Sequence, residues 1–181
     1  MPEPQHGTDN PTGWPDEIFA CLKRHEVRQV TYVPDAGHSR LIALAHADPD
    51  MQTTVLTTEE EGIAVAAGAW LGGQRSVLLM QSSGVGNCIN MLSLMTVCRF
   101  PLLTLVTMRG EWAEFNPWQG PMGRGTPGGL EEVGVTVMRV DRAAEAAEVV
   151  DAAATLAFDG DGAIAVLLGQ RIIGRKQWVT R

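Results

Sequence analysis

The chain has 181 residues, of which 45% are hydrophobic and 19% are charged, and its net charge is −7 at pH 7. This length suits one domain with a full hydrophobic core, and without a Lys/Arg-rich run a nucleic-acid partner is not expected. No apolar stretch reaches the roughly 18 residues of a membrane span and no signal peptide is recognisable, so we expect a cytoplasmic protein with no membrane partner.

The first 13 residues are polar and rich in proline, and we expect residues 1–13 to form a disordered tail. After them, segments with apolar residues at helical spacing alternate with short apolar runs. The helical spacing predicts helices over residues 16–25, 39–47, 59–71, 87–98 and 142–158. The apolar runs predict strands over residues 30–33, 52–57, 76–80, 102–108, 135–140 and 163–168. Residues 109–129, rich in Gly, Pro and aromatic side chains, are predicted to form one long loop.

The order of these elements indicates the fold class. Several strands are apolar on both faces, as parallel strands covered by helices must be. The repeated β-α alternation therefore predicts a doubly wound α/β fold, with a mostly parallel six-stranded sheet and helices on both faces. In such sheets ligands bind beyond the carboxyl ends of the strands, so functional residues are expected in the segments that follow them.

The segment after the first strand, residues 34–40, is a polar loop that leads into a helix. Asp35, His38 and Ser39 are candidates to face a ligand, His38 above all because its charge changes near neutral pH. The alternative is a simple turn in which Ser39 caps the next helix.

The segment after the second strand carries three consecutive acids, Glu59, Glu60 and Glu61, at the start of a predicted helix. Acidic residues in a first helical turn complement the helix dipole, and by that reasoning two of the three are merely solvated. The rest of the helix is rich in Ala and Gly, which let another surface approach closely. This helix is therefore expected to pack against a partner or a cofactor.

The segment after the third strand, residues 81–87, combines polar side chains with two glycines at the entry to a helix. Glycines permit close backbone approach, and a helix N-terminus favours an anion or a polar ring. A dinucleotide fingerprint is not completed, since position 89 is Ile, and no G-x-S-x-G nucleophile motif is present.

The predicted loop after the fourth strand contains Arg109 and Arg124 among several aromatic residues. Each arginine could hold an anionic substrate through forked hydrogen bonds or form a surface ion pair. The three cysteines form no C-x-x-C pair and the four histidines have no ligand spacing, so we expect no metal site built by this chain alone.

Three segments in this order resemble one family of enzymes: TTEEEGIAVAAGAWLGG, LLMQSSGVGNCIN and MRGEWAEFNPWQGPMG. They are similar to the alpha subunit, or N-terminal half, of thiamine-diphosphate-dependent 2-oxoacid decarboxylases, in particular sulfopyruvate and phosphonopyruvate decarboxylases. The resemblance covers about residues 14–175, which it identifies as a pyrimidine-binding domain, and residues 176–181 are left as a C-terminal tail.

The resemblance implies a catalytic role for one of the three acids. The family has an essential glutamate followed nine residues later by a glycine, and Glu59 with Gly68 fits this spacing. In the family this glutamate binds N1′ of the aminopyrimidine and favours the imino form, which removes the C2 proton of the thiazolium. In the family the resulting ylide attacks the ketone carbon of the 2-oxoacid, and the cationic ring then takes up the electrons as carbon dioxide leaves, so the hard chemistry belongs to the cofactor.

The remaining site assignments also follow from the resemblance. It implies that the cofactor contacts Glu59, Gln81, Ser82, Ser83, Gly84, Gly86 and Asn87. His38 is a second catalytic candidate, and the candidates for binding the substrate are Asp35, Ser39, Arg109 and Arg124.

The family binds the diphosphate through Mg²⁺ with a G-D-G motif and an Asn about 25–30 residues later. Gly160-Asp161-Gly162 does not meet this requirement, because it precedes a strand and no Asn follows it, so a turn is predicted there. We therefore expect a diphosphate-binding β subunit to complete the thiamine diphosphate and Mg²⁺ sites in an α₂β₂ assembly. The alternatives are a carboligase or lyase subunit and a non-catalytic α/β regulatory subunit.

Overall fold

The computed structural model describes residues 13–174. The predicted disordered tail and the predicted C-terminal tail lie outside this range, except for Gly13, which is the N-cap residue of the first helix. No helix among residues 13–174 has both the length and the apolar character needed to cross a bilayer.

Six strands form one sheet in the order β2-β1-β3-β4-β6-β5, and every neighbouring pair is parallel. The strands are β1 (Val27–Tyr32), β2 (Gln52–Val55), β3 (Arg75–Gln81), β4 (Leu102–Thr107), β5 (Thr136–Val140) and β6 (Ala163–Leu168). The predicted doubly wound α/β fold is confirmed, and the sheet, expected to be mostly parallel, is wholly parallel.

Helices cover both faces of this sheet. They are α1 (Trp14–Arg24), α2 (Ser39–Ala47), α3 (Glu59–Leu71), α4 (Ser82–Cys98), α5 (Gly120–Glu132), α6 (Ala146–Phe158) and α7 (Gln170–Ile173). Short 3₁₀ turns lie at Ala36–His38, Pro117–Gln119 and Ala143–Glu145. One hydrophobic cluster lies beneath α1, α2 and α6, and a second lies beneath α3, α4 and α5.

The central strand β3 illustrates why the sheet is buried on both sides. Successive side chains of a strand point to opposite faces, so Val77 and Leu79 enter the first cluster while Leu78 and Met80 enter the second. All four side chains are completely buried. The continuous apolar runs in the sequence therefore correspond to strands with a helical layer on each face.

Several predicted elements begin or end a few residues from their observed bounds, and two predicted segments differ from the structure more strongly. Helix α4 begins at Ser82 rather than at residue 87, so the Ser/Gly segment forms the first helical turns. The prediction of a loop over residues 109–129 is wrong from Gly120 onward, where α5 begins.

Packing explains why α5 forms despite its glycines and Pro127. Gly123 lies so close to the Arg109 carbonyl that a Cβ there would overlap it, and Leu130 is fully buried. Thr126 Oγ1 lies 2.7 Å from the Met122 carbonyl oxygen of its own helix and 3.2 Å from the Ser82 carbonyl oxygen of α4, and its single proton is shared between these two acceptors. These tertiary contacts outweigh the low helix propensity of the segment.

Candidate functional site

The site begins where β2 leads into α3. Of the three consecutive acids, only Glu59 is buried, with 9% of its surface exposed, while Glu60 and Glu61 are exposed. The Glu61 carboxylate accepts a hydrogen bond from the Thr57 backbone N–H at 2.9 Å, which satisfies a backbone donor just before the helix. Glu61 thus stabilises the start of α3, and Glu59 is the acid that turns toward the neighbouring helix.

Helix α4 receives the Glu59 carboxyl group. Asn87 Nδ2 donates a hydrogen bond to Glu59 Oε2 at 2.9 Å. A Cβ at Gly84 would overlap the Glu59 carboxyl group, so the glycine provides the space in which this group lies. The structure therefore brings together Glu59, Gly84 and Asn87, which the sequence had placed in one cofactor site.

A second polar cluster joins the carboxyl ends of three strands. Gln81 Nε2 donates to Asp35 Oδ1 at 2.9 Å, and the Ser83 hydroxyl donates to Gln81 Oε1 at 3.0 Å. The Thr107 hydroxyl donates to Asp35 Oδ2. Asp35, Gln81 and Ser83, all candidates from the sequence, thus form one hydrogen-bonded chain with Thr107, which the sequence reasoning did not identify.

His38 lies beneath this cluster rather than at its surface. The ring is 1% exposed, and its Nε2 lies 3.1 Å from the Leu105 carbonyl oxygen and 3.3 Å from that of Met80. Burial lowers the pKa of His38, and because carbonyl oxygens can only accept hydrogen bonds, Nε2–H is the donor to them. The ring thereby attaches the first loop to β3 and β4, and its catalytic role stays a prediction.

Ser39 is the first residue of α2 and is exposed. The N-cap position belongs to His38, and no side chain caps this helix. The alternative assignment of Ser39 as a helix cap is therefore wrong, and its role toward substrate stays a prediction.

Arg109 is held by an acid that the sequence reasoning did not identify. Its Nε and Nη2 donate to the two Glu114 carboxylate oxygens at 2.7 and 2.6 Å, and its guanidinium lies 5.8 Å from the centre of the Phe115 ring. The Arg109 guanidinium, followed by backbone N–H donors and Gln170, lowers the pKa of Glu114 to about 2. The Arg109 guanidinium, which was expected to bind substrate, is thus paired with the Glu114 carboxylate of the same chain.

The contacts of Glu114 and Gln170 fix the backbone of the segment after β4. Gln170 Nε2 donates to Glu114 at 2.8 Å, while Gln170 Oε1 accepts from the backbone N–H groups of Glu111 and Trp112, each at 2.9 Å. The Ser82 hydroxyl accepts from the Arg109 backbone N–H at 3.1 Å. No sequence motif marks Gln170; an acid five residues after Arg109 was the only signal that could have revealed Glu114.

Gly86 lies near the start of α4, and Arg124 lies on α5, the helix that packs against α4. Arg124 is exposed on α5, and Gly86 is exposed on α4 with the Met122 sulfur close to it.

Asp35 and Arg109 line a cavity of about 100 Å³ with Gly37, Thr107 and Ile173 among others. Pockets for drug-sized ligands usually exceed roughly 300 Å³, so this cavity is too small for a whole cofactor.

Within the described part of the chain, no group of three or more His, Cys, Asp or Glu side chains that could share a metal ion lies beside Glu59. Within residues 13–174, the group of side chains that could share a metal ion is Cys21, His25 and Asp151, which lies between α1 and α6 on the other face of the sheet. Mg²⁺ prefers oxygen ligands, which this group does not supply as a set. The sequence Gly160-Asp161-Gly162 is the turn between α6 and β6, as predicted.

The chain is similar to thiamine pyrophosphate enzymes and to subunits of decarboxylases. The family model described as "Thiamine pyrophosphate enzyme, N-terminal TPP binding domain" matches residues 15–120. The chain is 38% identical over 154 residues to sulfopyruvate decarboxylase subunit alpha of Methanococcus maripaludis, covering 84% of this chain and 92% of that protein. Identity to the same subunit of Methanothermobacter thermautotrophicus is 33%, over 84% of this chain and 93% of that protein.

Two further similarities cover only part of the other protein. Phosphonopyruvate decarboxylase of Streptomyces viridochromogenes is 40% identical over 60% of this chain and 28% of that protein. Among solved structures, 2-oxoglutarate:ferredoxin oxidoreductase from Magnetococcus marinus superposes with a TM-score of 0.73 and 16% identity. That match covers 94% of this chain, which spans about a third (34%) of the solved chain, and at this identity it supports the fold alone.

Proposed function

Because the chain belongs to the thiamine pyrophosphate enzyme family, whose N-terminal TPP-binding domain it carries, we propose that it is the pyrimidine-binding α subunit of a 2-oxoacid decarboxylase. The proposed substrates are sulfopyruvate, phosphonopyruvate or close analogues, as the names of the relatives indicate. The cofactor, thiamine pyrophosphate (thiamine diphosphate), supplies the electron sink that lets a 2-oxoacid lose carbon dioxide.

The observation that carries this proposal is the placement of Glu59. Glu59 is 9% exposed as a residue, Asn87 Nδ2 donates a hydrogen bond to its Oε2, and no hydrogen bond within residues 13–174 engages Oε1. A carboxylate oxygen in this setting is a strong acceptor for an N–H of a polar ring. Glu59 is thus suited to hold the proton at N1′ of the aminopyrimidine.

The outer faces of α3 and α4 support a partner subunit. Helix α4 contains no charged residue in its 17 residues, and α3 contains none after Glu61. Leu71 and Val97, near the ends of these helices, are 74% and 78% exposed, and Ala64 and Gly68 are exposed on α3. Since the solvent-facing side of a surface helix normally carries charges, we propose that the β subunit docks here.

This docking would complete the cofactor site. The uncharged face of α4 includes the N-terminal part of the helix, where Asn87 contacts Glu59. A chain bound at this part of the helix would therefore lie beside Glu59 Oε1. We propose that the β subunit contributes the Mg²⁺ and diphosphate ligands, and that two copies of each chain assemble as α₂β₂. The name "subunit alpha" of the relatives is consistent with this division.

Substrate recognition is proposed to involve Arg124 more than Arg109. Glu114 neutralises Arg109 through two hydrogen bonds, whereas Arg124 is exposed on α5, which packs against α4. An exposed guanidinium can bind a sulfonate or phosphonate in forked geometry. Asp35, Gln81 and Ser83 are joined by hydrogen bonds, and we propose that they form one wall of the cofactor and substrate site.

The test uses the complex reconstituted from both subunits. Glu59→Gln keeps the shape of the side chain but removes its charge, and decarboxylation of sulfopyruvate should fall by well over tenfold, which corresponds to about 1.4 kcal/mol in the barrier. Glu60→Gln, on the exposed side of the same helical turn, is the matched control and should keep wild-type activity.

Retention of activity within tenfold by Glu59→Gln would exclude the proposed role of Glu59 and favour a non-catalytic subunit. Product analysis with and without an added aldehyde separates decarboxylation from carboligation. Calorimetric titration of the isolated chain should detect no tight binding of thiamine diphosphate; micromolar binding would contradict the shared site.

A further inference from the structure

The two oxygens of the Glu59 carboxylate are in different surroundings. Oε2 accepts a hydrogen bond from Asn87 Nδ2 at 2.9 Å. The Glu59 side chain makes no other hydrogen bond within residues 13–174. An ionised carboxylate only accepts hydrogen bonds, so the NH₂ group of the Asn87 amide, and not its oxygen, must face it.

Gly84 restricts the carboxylate from the other side. It lies three residues before Asn87 and therefore on the same face of α4. A Cβ at Gly84 would overlap Glu59 Cγ, Cδ and Oε1, so the carboxyl group lies directly over this glycine. Contact with Gly84 and the bond to Asn87 together fix the orientation of the group, and Oε1 has no donor among residues 13–174.

The chemical nature of the donor matters as much as its position. Neither α3 nor α4 contains a Lys or Arg residue, and none of the ion pairs within residues 13–174 includes Glu59. A cation would form an ion pair and compete for the negative charge, whereas a neutral amide orients the carboxylate and leaves its net charge in place.

We propose that Asn87 is a positioning residue: it holds Oε2 so that Oε1 is the oxygen presented to the cofactor ring. This inference rests on the function proposed above for Glu59. It assigns Asn87 a role through Glu59, in addition to the contact with the cofactor that the sequence implied.

The contact itself is tested on the isolated full-length chain. In nitrogen–proton NMR spectra, the side-chain amide signals of Asn87 should shift when Glu59 is replaced by Ala, because the acceptor is lost. The amide signals of Asn90, one turn further along α4, provide the matched control and should not move. Unchanged Asn87 signals would overturn the proposal.

The functional consequence is tested in the reconstituted complex. Asn87→Asp preserves the size and shape of the side chain, removes the donor and places a second negative charge against Glu59. Asn87→Leu removes the donor without adding charge. The turnover number should follow the order Asn, Leu, Asp, with at least a tenfold loss for Asp and a smaller change in substrate KM.

This ranking separates the proposed role from a structural one. A residue that only fills space would give wild-type turnover with Asp, and that result would overturn the inference. If Glu59→Gln abolishes activity while Asn87→Asp does not, only the inference on Asn87 fails. If Glu59→Gln leaves activity intact, the proposed function itself fails.

Discussion

The substitution Gly84→Ala tests whether the space for the Glu59 carboxyl group is required. The new Cβ would overlap Glu59 Cγ, Cδ and Oε1. Because the obstacle is a side chain rather than backbone, Glu59 can rotate away and the helix can remain in place. We therefore expect the substitution to reduce activity much more than stability.

The expected change in unfolding free energy for Gly84→Ala is the balance of a gain in helix propensity and a cost of overpacking. Replacing Gly by Ala within a helix gains up to about 1 kcal/mol, and overpacking costs about 1–3 kcal/mol before side chains relax. With Glu59 displaced, the net change in unfolding free energy should stay within about 1 kcal/mol, or roughly 2–4 °C in Tm for a chain of this size. Displacing a catalytic group by about 1 Å can cost roughly 100-fold in rate.

The assay pairs thermal unfolding of the isolated chain with turnover of the reconstituted complex. Gly125→Ala is the matched control, since Gly125 also lies in a helix and a Cβ there meets no atom within 4 Å. The control should gain stability and keep turnover. A Gly84→Ala complex with wild-type turnover would refute the reasoning, because Glu59 would then not need its present position.

Two further predictions concern stability. Arg109 holds the pKa of Glu114 at about 2, below its ordinary value of 4.5, so the ionised form stabilises the fold at neutral pH and this contribution is lost as the pH falls from about 4.5 toward 2. Urea unfolding at pH 7 and pH 3 should reveal a loss of up to about 2 kcal/mol that is smaller in Glu114→Gln; an equal loss in both proteins would contradict the assignment. Gly62→Ala should destabilise the chain by about 1–3 kcal/mol, because its Cβ would overlap Leu78 and Leu56. Gly68→Ala, whose Cβ meets nothing within 4 Å, should be neutral or stabilising, and equal effects in the two variants would argue against this packing.

The fold was largely predictable because its signals are local. Apolar runs such as residues 102–108, alternating with helical segments, are typical of parallel strands covered by helices on both faces, and all six predicted strands are present. The prediction failed at α5, where Gly and Pro are poor helix formers. Contacts of Gly123, Thr126 and Leu130 with distant segments determine that helix, and no local pattern reveals them.

The candidate site was predictable in part. Composition leaves Glu59, Glu60 and Glu61 equivalent, and the resemblance to a family selected Glu59, which the structure then distinguishes by its burial. The sequence also placed Asp35, Gln81 and Asn87 at strand ends, and parallel strands bring such ends to one edge. It could not reveal that Arg109 is paired with Glu114, since a loop conformation sets that contact.

By itself the sequence determined the alternation of strands and helices, the edge of the sheet where polar residues gather, and the family to which the chain is similar. These follow from the periods of strand and helix and from short motifs, all of which are local along the chain. Only the tertiary structure decided the environment of each side chain: His38 is buried against two carbonyls, and Glu59 Oε2 accepts a hydrogen bond from Asn87 while Oε1 accepts none from residues 13–174. Burial and pairing depend on how the whole chain folds and on the conformation of its loops, and for this reason no local pattern specifies them.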